Sequence, residues 1–167
     1  MNMMNRFVPG PDTLKDFRTA LSRFATGVTV VTCQSERGPL GITANSFASV
    51  SLDPPLVLWS PAKSSSRHAA FVEAERFVIH VLSSDQEEVC RRFTKDGLDF
   101  GGLPHDRTID GVPLITGCLA HFECERFAAH DAGDHTIVIG RVLGAATTPA
   151  NPLVFSGGVM GHFTTKN

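Results

Sequence analysis

Two long extended segments around a tight turn restrict the fold more than any other feature. In "ITGCLAHFECERFAAH", Cys118, Ala120, Phe122 and Cys124 alternate onto one face, while His121, Glu123 and Glu125 fall on the other. "DAGD" reads as a turn, and "HTIVIGRVLGAAT" continues as a second long strand. Gly140 and Gly144 interrupt that strand where a bend or bulge would sit. Strands joined by so short a connection must run antiparallel, because a parallel pair needs a crossover of a dozen residues or more.

The rest of the chain repeats this grammar. "GVTVVTCQS" is short and β-branched, "ERGP" is a turn, and "LGITANSFASVSL" is again extended, so residues 28–51 are expected to form a hairpin. Pro54 and Pro55 punctuate, and "LVLWS" is a continuous apolar run suited to a central strand. "RFVIHVLS" is a further strand, and "PLVFSGGVMGHF" closes the chain.

Helices are inserted between strands. In residues 12–26, Leu14, Phe17, Leu21 and Phe24 recur at helical spacing, with Asp12 as expected N-cap and Gly27 as stop. "AKSSSRHAAFVEAE" is expected to be helical from the serines on. "SDQEEVCRRFTK" pairs Ser84 with Glu87 in a capping-box pattern. Residues 96–112 are rich in Gly, Asp and Pro and are expected to be an exposed loop. The fold class that follows is mainly β with inserted helices, an antiparallel barrel or sandwich rather than a parallel βαβ sheet.

With 167 residues the chain suits one domain, expected over 12–167 after a flexible N-terminus at 1–11. A net charge of −2 makes nucleic acid a poor electrostatic partner. No apolar run approaches the ~20 residues of a membrane helix, and "MNMMNRFVPGP" has no signal-peptide core, so the expected compartment is the cytoplasm. Charged residues are only 19% of the chain, which hints at surface covered by a partner subunit. The cysteines (Cys33, Cys90, Cys118, Cys124) lack C-x-x-C spacing and read as buried small hydrophobes, with a reactive thiol as the alternative. Seven histidines form no H-E-x-x-H or H-x-H pattern, so no metal site is expected. Neither G-x-S-x-G, G-x-G-x-x-G nor a P-loop is present.

Three segments carry candidate chemistry. In "GITANSFASVSLDPPLVLW", Thr43, Asn45, Ser46, Ser49 and Ser51 put small polar side chains into an extended stretch, with Ala44 leaving room for a flat ligand. A heteroaromatic ring with several edge donors and acceptors would suit it, and so would a plain solvated sheet edge. In "SSSRHAAF", Ser64, Ser65, Ser66 and Arg67 would suit a phosphate at a helix start. Ordinary N-capping, which needs one serine, is the alternative. In "AGDHTIVIG", His135 enters an apolar strand after a Gly-Asp turn, either as a ligand contact or as a turn residue without a role.

Together these segments resemble the flavin reductase-like family, which includes the small reductase components of two-component flavin-dependent monooxygenases. The resemblance runs from Phe17 to Phe163 and is carried by "RFATGVTVVT", "GITANSFASVSLDPPLVLWS", "SSSRHAAF", "RFVIHVLSSDQEEVCRRF", "CLAHFECE", "GDHTIVIGRV" and "PLVFSGG". It implies an FMN-binding split β-barrel, usually homodimeric, with FMN or FAD near the subunit interface. It implies hydride transfer from NADH or NADPH to that flavin, and a monooxygenase partner that receives reduced flavin. By the resemblance, Thr43, Ala44, Asn45 and Ser46 contact the isoalloxazine, with Ser49 and Ser51 nearby and Trp59 and Ser60 lining the flavin. Ser64, Ser65, Ser66 and Arg67 hold the phosphate, and Arg92 and Phe93 sit close to the cofactor. Gly133, Asp134 and His135 match the G-D-H motif linked to the nicotinamide, with His135 as the catalytic candidate. A flavin-binding protein without catalysis on the same barrel is the alternative. The C-terminus departs from the family, whose motif there often carries Tyr. This chain has no Tyr, which leaves Phe155, Met160 or His162 for that place.

Overall fold

A computed structural model describes residues 6–164. Its longest elements are the two segments above. Strand β9 (Ala120–Ala132) pairs with β10 (His135–Thr147) from His135↔Ala132 to Thr147↔Ala120. The register shifts between Ile139 and Gly140 and between Val142 and Gly144, at the two glycines expected to bend the strand. Gly140 has a packing reason as well, since a Cβ there would lie 2.6 Å from the Phe77 ring tip. Gly133 turns the chain with φ +67°, a conformation other residues adopt at a cost.

The other elements, in chain order, are a 3-10 turn (Pro11–Thr13), α1 (Leu14–Leu21), β1 (Thr26–Gly27), β2 (Thr29–Ser35), β3 (Gly38–Ala44), β4 (Ala48–Leu52), β5 (Pro55–Trp59), α2 (His68–Glu73), β6 (Arg76–Val81), α3 (Glu87–Lys95), β7 (His105–Arg107) and β8 (Pro113–Ile115). A C-terminal hairpin of β11 (Leu153–Ser156) and β12 (Val159–His162) ends the described chain. The main sheet has the order β3-β2-β6-β9-β10-β5-β4. A second sheet joins β1, β11 and β12, and β7 pairs with β8.

Strands β3 and β4 follow each other in sequence yet form opposite edges of the main sheet. Residues 45–47 carry the chain between them, so the sheet curls into an antiparallel barrel with a seam there. This is the split β-barrel, and it corrects the hairpin expected over 28–51. Thr29–Ser35 does pair with Gly38–Ala44, but Ala48–Leu52 pairs with Pro55–Trp59 instead. The Pro54-Pro55 turn makes that second hairpin local, and β5 then finds β10.

Alternate residues of β2, with Val28 just before it, feed two cores. Val31 and Cys33 join Trp59, Phe71, Phe77, Ile79 and Val138 inside the barrel. Val28 and Val30 join Leu82, Phe93, Ile115 and Leu153 beneath α3 and the C-terminal hairpin. Trp59 packs edge-on against Phe71 at 5.3 Å, and burying a Phe such as Phe71 contributes roughly 2–3 kcal/mol. His80 is fully buried between the cores: Nδ1–H donates to the Val30 carbonyl (3.0 Å) and Nε2 accepts from the Ile115 N–H (3.0 Å). Desolvation holds it neutral, lowering its pKa to about 3.

Several element boundaries differ from expectation. Helix α1 ends at Leu21 and residues 26–27 pair with β11 instead, while Asp12 falls inside the 3-10 turn and Thr13 takes the N-cap position. Its apolar side chains Leu14, Phe17 and Leu21 are exposed, as is Phe24. Helix α2 starts at His68, after the serines rather than at them. Helix α3 starts at Glu87, and the reciprocal contact forms one residue earlier than the Ser84–Glu87 box, with the Ser83 N–H donating to Gln86 Oε1. The 96–112 segment is largely exposed, but His105–Arg107 pairs with Pro113–Ile115. The expectation for 1–11 lies outside the described residues for 1–5. Among the described residues, no helix is long and apolar enough to cross a membrane.

Candidate functional site

An edge strand normally leaves a row of main-chain N–H and C=O groups unpaired. On β3 part of that row is closed. The Gly41 N–H donates to the Gly97 carbonyl (2.8 Å), and the Gly41 carbonyl accepts from Arg67 Nη1 (3.0 Å). Main-chain groups of an antiparallel strand alternate between facing the partner and facing away. Gly41 faces away from β2, so Thr43, two residues on, does too. Its N–H and C=O come to the surface where a cavity of about 280 Å³ opens. Thr43, Ala44 and Asn45 line one side, and Cys90, Thr94, Phe155 and Met160 the others. The Thr43 hydroxyl is held by the Cys90 carbonyl (2.7 Å), which fixes the strand and leaves its main chain free. Small Ala44 and the polar Asn45 give a flat ligand both room and hydrogen bonds. The donor set therefore fits a heteroaromatic ring. Of the three C-terminal candidates, Phe155 and Met160 line this cavity.

Ser46 sits at the barrel seam and meets Ser60: its Oγ accepts the Ser60 N–H at 2.9 Å. Two other aromatic positions behave differently from the sequence expectation. Trp59 and Phe93 are both 0% exposed, so neither side chain presents a face to a ligand in this structure. Trp59 fills the barrel core, and Phe93 lies against Gly41, where a Cβ would approach its ring to 2.5 Å. Ser49 and Ser51 lie on β4, at the opposite sheet edge from Thr43. Arg92 turns to the 99–101 loop, donating to the Gly101 carbonyl (2.7 Å) and pairing with Asp99 (3.6 Å).

Residues 61–68 form a strap over the barrel. At one end the Lys63 N–H donates to the Asp134 carbonyl (2.9 Å), Lys63 Nζ donates to the Gly133 carbonyl (2.6 Å), and the same ammonium pairs with Asp131. His68 Nε2 meets Thr136 Oγ1 at 2.8 Å. The strap is therefore tied at Ala62 and Lys63 to the Gly133–His135 turn and at His68 to Thr136. At the other end Arg67 Nη1 donates to the carbonyls of Gly41 and Phe93 (2.6 Å), and Nη2 to that of Thr94 (3.3 Å). Ser64 and Ser66 are exposed, and Ser66 and Arg67 border a larger cavity of about 450 Å³ beside Glu36, Arg37 and α2.

His135 donates from Nδ1 to Asp134 Oδ1 (2.7 Å), which orients the ring and leaves Nε2 for a ligand. That bond holds the Asp134 carboxyl below the usual carboxylate range. Lys63, Thr94 and Gly97 were not singled out by sequence reasoning. Lys63 precedes the serine run by one residue, a signal that was available; Thr94 and Gly97 reach the site only through tertiary packing. All four thiols are buried, as small hydrophobes are, and burial pushes Cys33 and Cys124 up to about 12, Cys118 to about 11, and Cys90 upward as well.

Residues 21–164 match the model of the flavin reductase like domain. The chain is 61% identical over 158 residues to FMN reductase (NADH) SmoA of Agrobacterium fabrum, covering 95% of this chain and 91% of that one. It is 42% identical over 127 residues to the reductase subunit HsaB of a flavin-dependent monooxygenase of Rhodococcus jostii, covering 75% of this chain and 65% of that one. Among solved structures, the Streptomyces globisporus NADH:FAD oxidoreductase SgcE6 in complex with NAD and FAD fragments superposes with a TM-score of 0.87 at 37% identity, over 95% of this chain and 98% of that one.

Proposed function

We propose, from the premise that this chain belongs to the flavin reductase-like domain family, that it is an NAD(P)H-dependent flavin reductase whose open β3 edge grips the flavin ring. The observation that carries the reading is the outward-facing main chain at Thr43 beside the Ala44–Asn45 cavity, on a strand otherwise closed at Gly41. NADH and FMN are the pair favoured by the 61% identical relative.

Bound flavin supplies the two-electron acceptor, so the protein's tasks are binding and orientation. Thr43, Ala44, Asn45 and Ser46 hold the ring edge, with the Ser60 main chain at the seam. Ser64–Ser66 on the strap serve the phosphate. His135, oriented by Asp134, contacts the nicotinamide and sets its distance from the ring, where small misplacements are expensive in rate. The chain works as a homodimer in the cytoplasm. The exposed apolar side chains of Leu14, Phe17, Leu21 and Phe24 support the dimer, since free in water they gain nothing. Reduced flavin passes to a monooxygenase component, as the likeness to the HsaB reductase subunit supports.

Steady-state kinetics with FMN and FAD against NADH and NADPH test the reading. NADH oxidation that depends on added flavin is expected, and none with any pairing would refute it. His135→Ala should slow flavin reduction roughly tenfold while flavin Kd stays within about twofold. An unchanged rate removes His135 from the mechanism.

A further inference from the structure

Among the described residues, Arg67 is the one cation that touches both structures forming the flavin cavity. Its Nη1 donates to Gly41 on β3 and to Phe93 on α3, and its Nη2 to Thr94 on α3. Phe93 and Thr94 lie in the last turn of α3, where carbonyls have no helical partner and a cation is favoured. Gly41 lies two residues before Thr43, and Thr94 itself lines the cavity. The surroundings admit little else. A Cβ on Gly97 would approach the Arg67 Cδ and the Gly41 carbonyl to 2.6 Å each. The helix and the strand are thus drawn together around one guanidinium.

We infer that Arg67 is a positioning residue for the flavin ring: it clamps the end of α3 to β3 and so sets the open edge at Thr43, whether or not a phosphate is present. This rests on the flavin reading of the β3 edge and goes beyond it. A residue type that sequence alone assigns to the phosphate acts on the ring through the strand. Arginine is required because one planar fork reaches three carbonyls, whereas a lysine ammonium at the end of a flexible stem cannot hold that arrangement.

The discriminating ligand is riboflavin, which carries the ring and lacks the phosphate. Titration of Arg67→Met and Arg67→Lys with riboflavin and with FMN should show riboflavin Kd raised about tenfold in both, with the visible absorbance shift of bound riboflavin diminished. Lys should fail to rescue riboflavin even where it restores part of the FMN affinity by charge. Unchanged riboflavin Kd and spectrum in both variants would overturn the clamp and leave Arg67 a phosphate contact. Should neither variant fold, NMR of the wild-type protein decides. The Arg67 guanidinium hydrogens should stay protected from exchange when FMN is added, and their release by FMN overturns the proposal. Wild-type protein that binds neither ligand defeats the flavin reading itself and the clamp with it, a result distinct from a change confined to FMN.

Discussion

The two edges of the main sheet come from one unbroken polar stretch and have opposite fates. Strand β3 is covered along part of its length by Gly97, Arg67 and α3, and it opens at Thr43. Strand β4 is covered by none of these. Its Ser49 and Val50 are exposed, Leu52 is 96% exposed, and a bulge interrupts its pairing at Val50. An edge becomes a binding surface when most of it is closed and a short piece is left open. A fully open edge offers unpaired groups to any strand that passes, which bulges such as that at Val50 discourage.

Acid should break both edges together, because His80 sits between them. Its pKa falls from 6.5 to about 3 on folding, so the unfolded chain binds the extra proton first. The stability is therefore complete above pH 6.5 and is lost as pH falls toward 3, at up to roughly 1.4 kcal/mol per pH unit. Urea midpoints followed by the fluorescence of Trp59, the single tryptophan, should fall across that window. A flat profile would mean that His80 accepts its proton without unfolding the sheet.

A substitution separates the edges. Gly41→Ala drives a methyl to 2.5 Å from the buried Phe93 ring and should cost about 1–3 kcal/mol, with flavin affinity falling in parallel. Thermal melts and flavin titration check it, and a wild-type melting temperature would show that α3 yields freely. Thr43→Val removes the bond to the Cys90 carbonyl and should cost about 1 kcal/mol. The smallest effect belongs to the other edge: Leu52→Ser should change stability by less than about 0.5 kcal/mol and leave flavin affinity alone. A flavin defect from Leu52→Ser would place β4 in the site and dissolve the contrast.

What was legible in the sequence was local. Gly140 and Gly144 announced their bulges because a glycine inside a strand pattern has few other uses, and the G-D-H turn was marked by its own residues. The break between β3 and β4 was hidden, since Asn45, Ser46 and Phe47 look no different from the extended residues on either side. Trp59 and Phe93 stand beside site residues in the chain, but their volume sends them into the cores. The serines were expected to begin α2, yet the strap they occupy is shaped by Lys63 and Arg67, whose partners lie between 26 and 70 residues away. Contacts of that range leave no periodicity to read.

The pairing of β5 with β10, Trp59 opposite Val138, also dictates an order of events during synthesis. As the chain leaves the ribosome, β2, β3 and β6 can assemble early and β5 can pair with β4, whereas the second partner of β5 emerges almost 80 residues later. Until then the Lys63 end of the strap lacks its partners at Gly133 and Asp134, and Trp59 has no finished core to enter. The cavity at Thr43 is therefore among the last parts of the molecule to exist, and a nascent chain stalled before residue 138 carries the β3 edge without the Phe155 and Met160 wall that closes it.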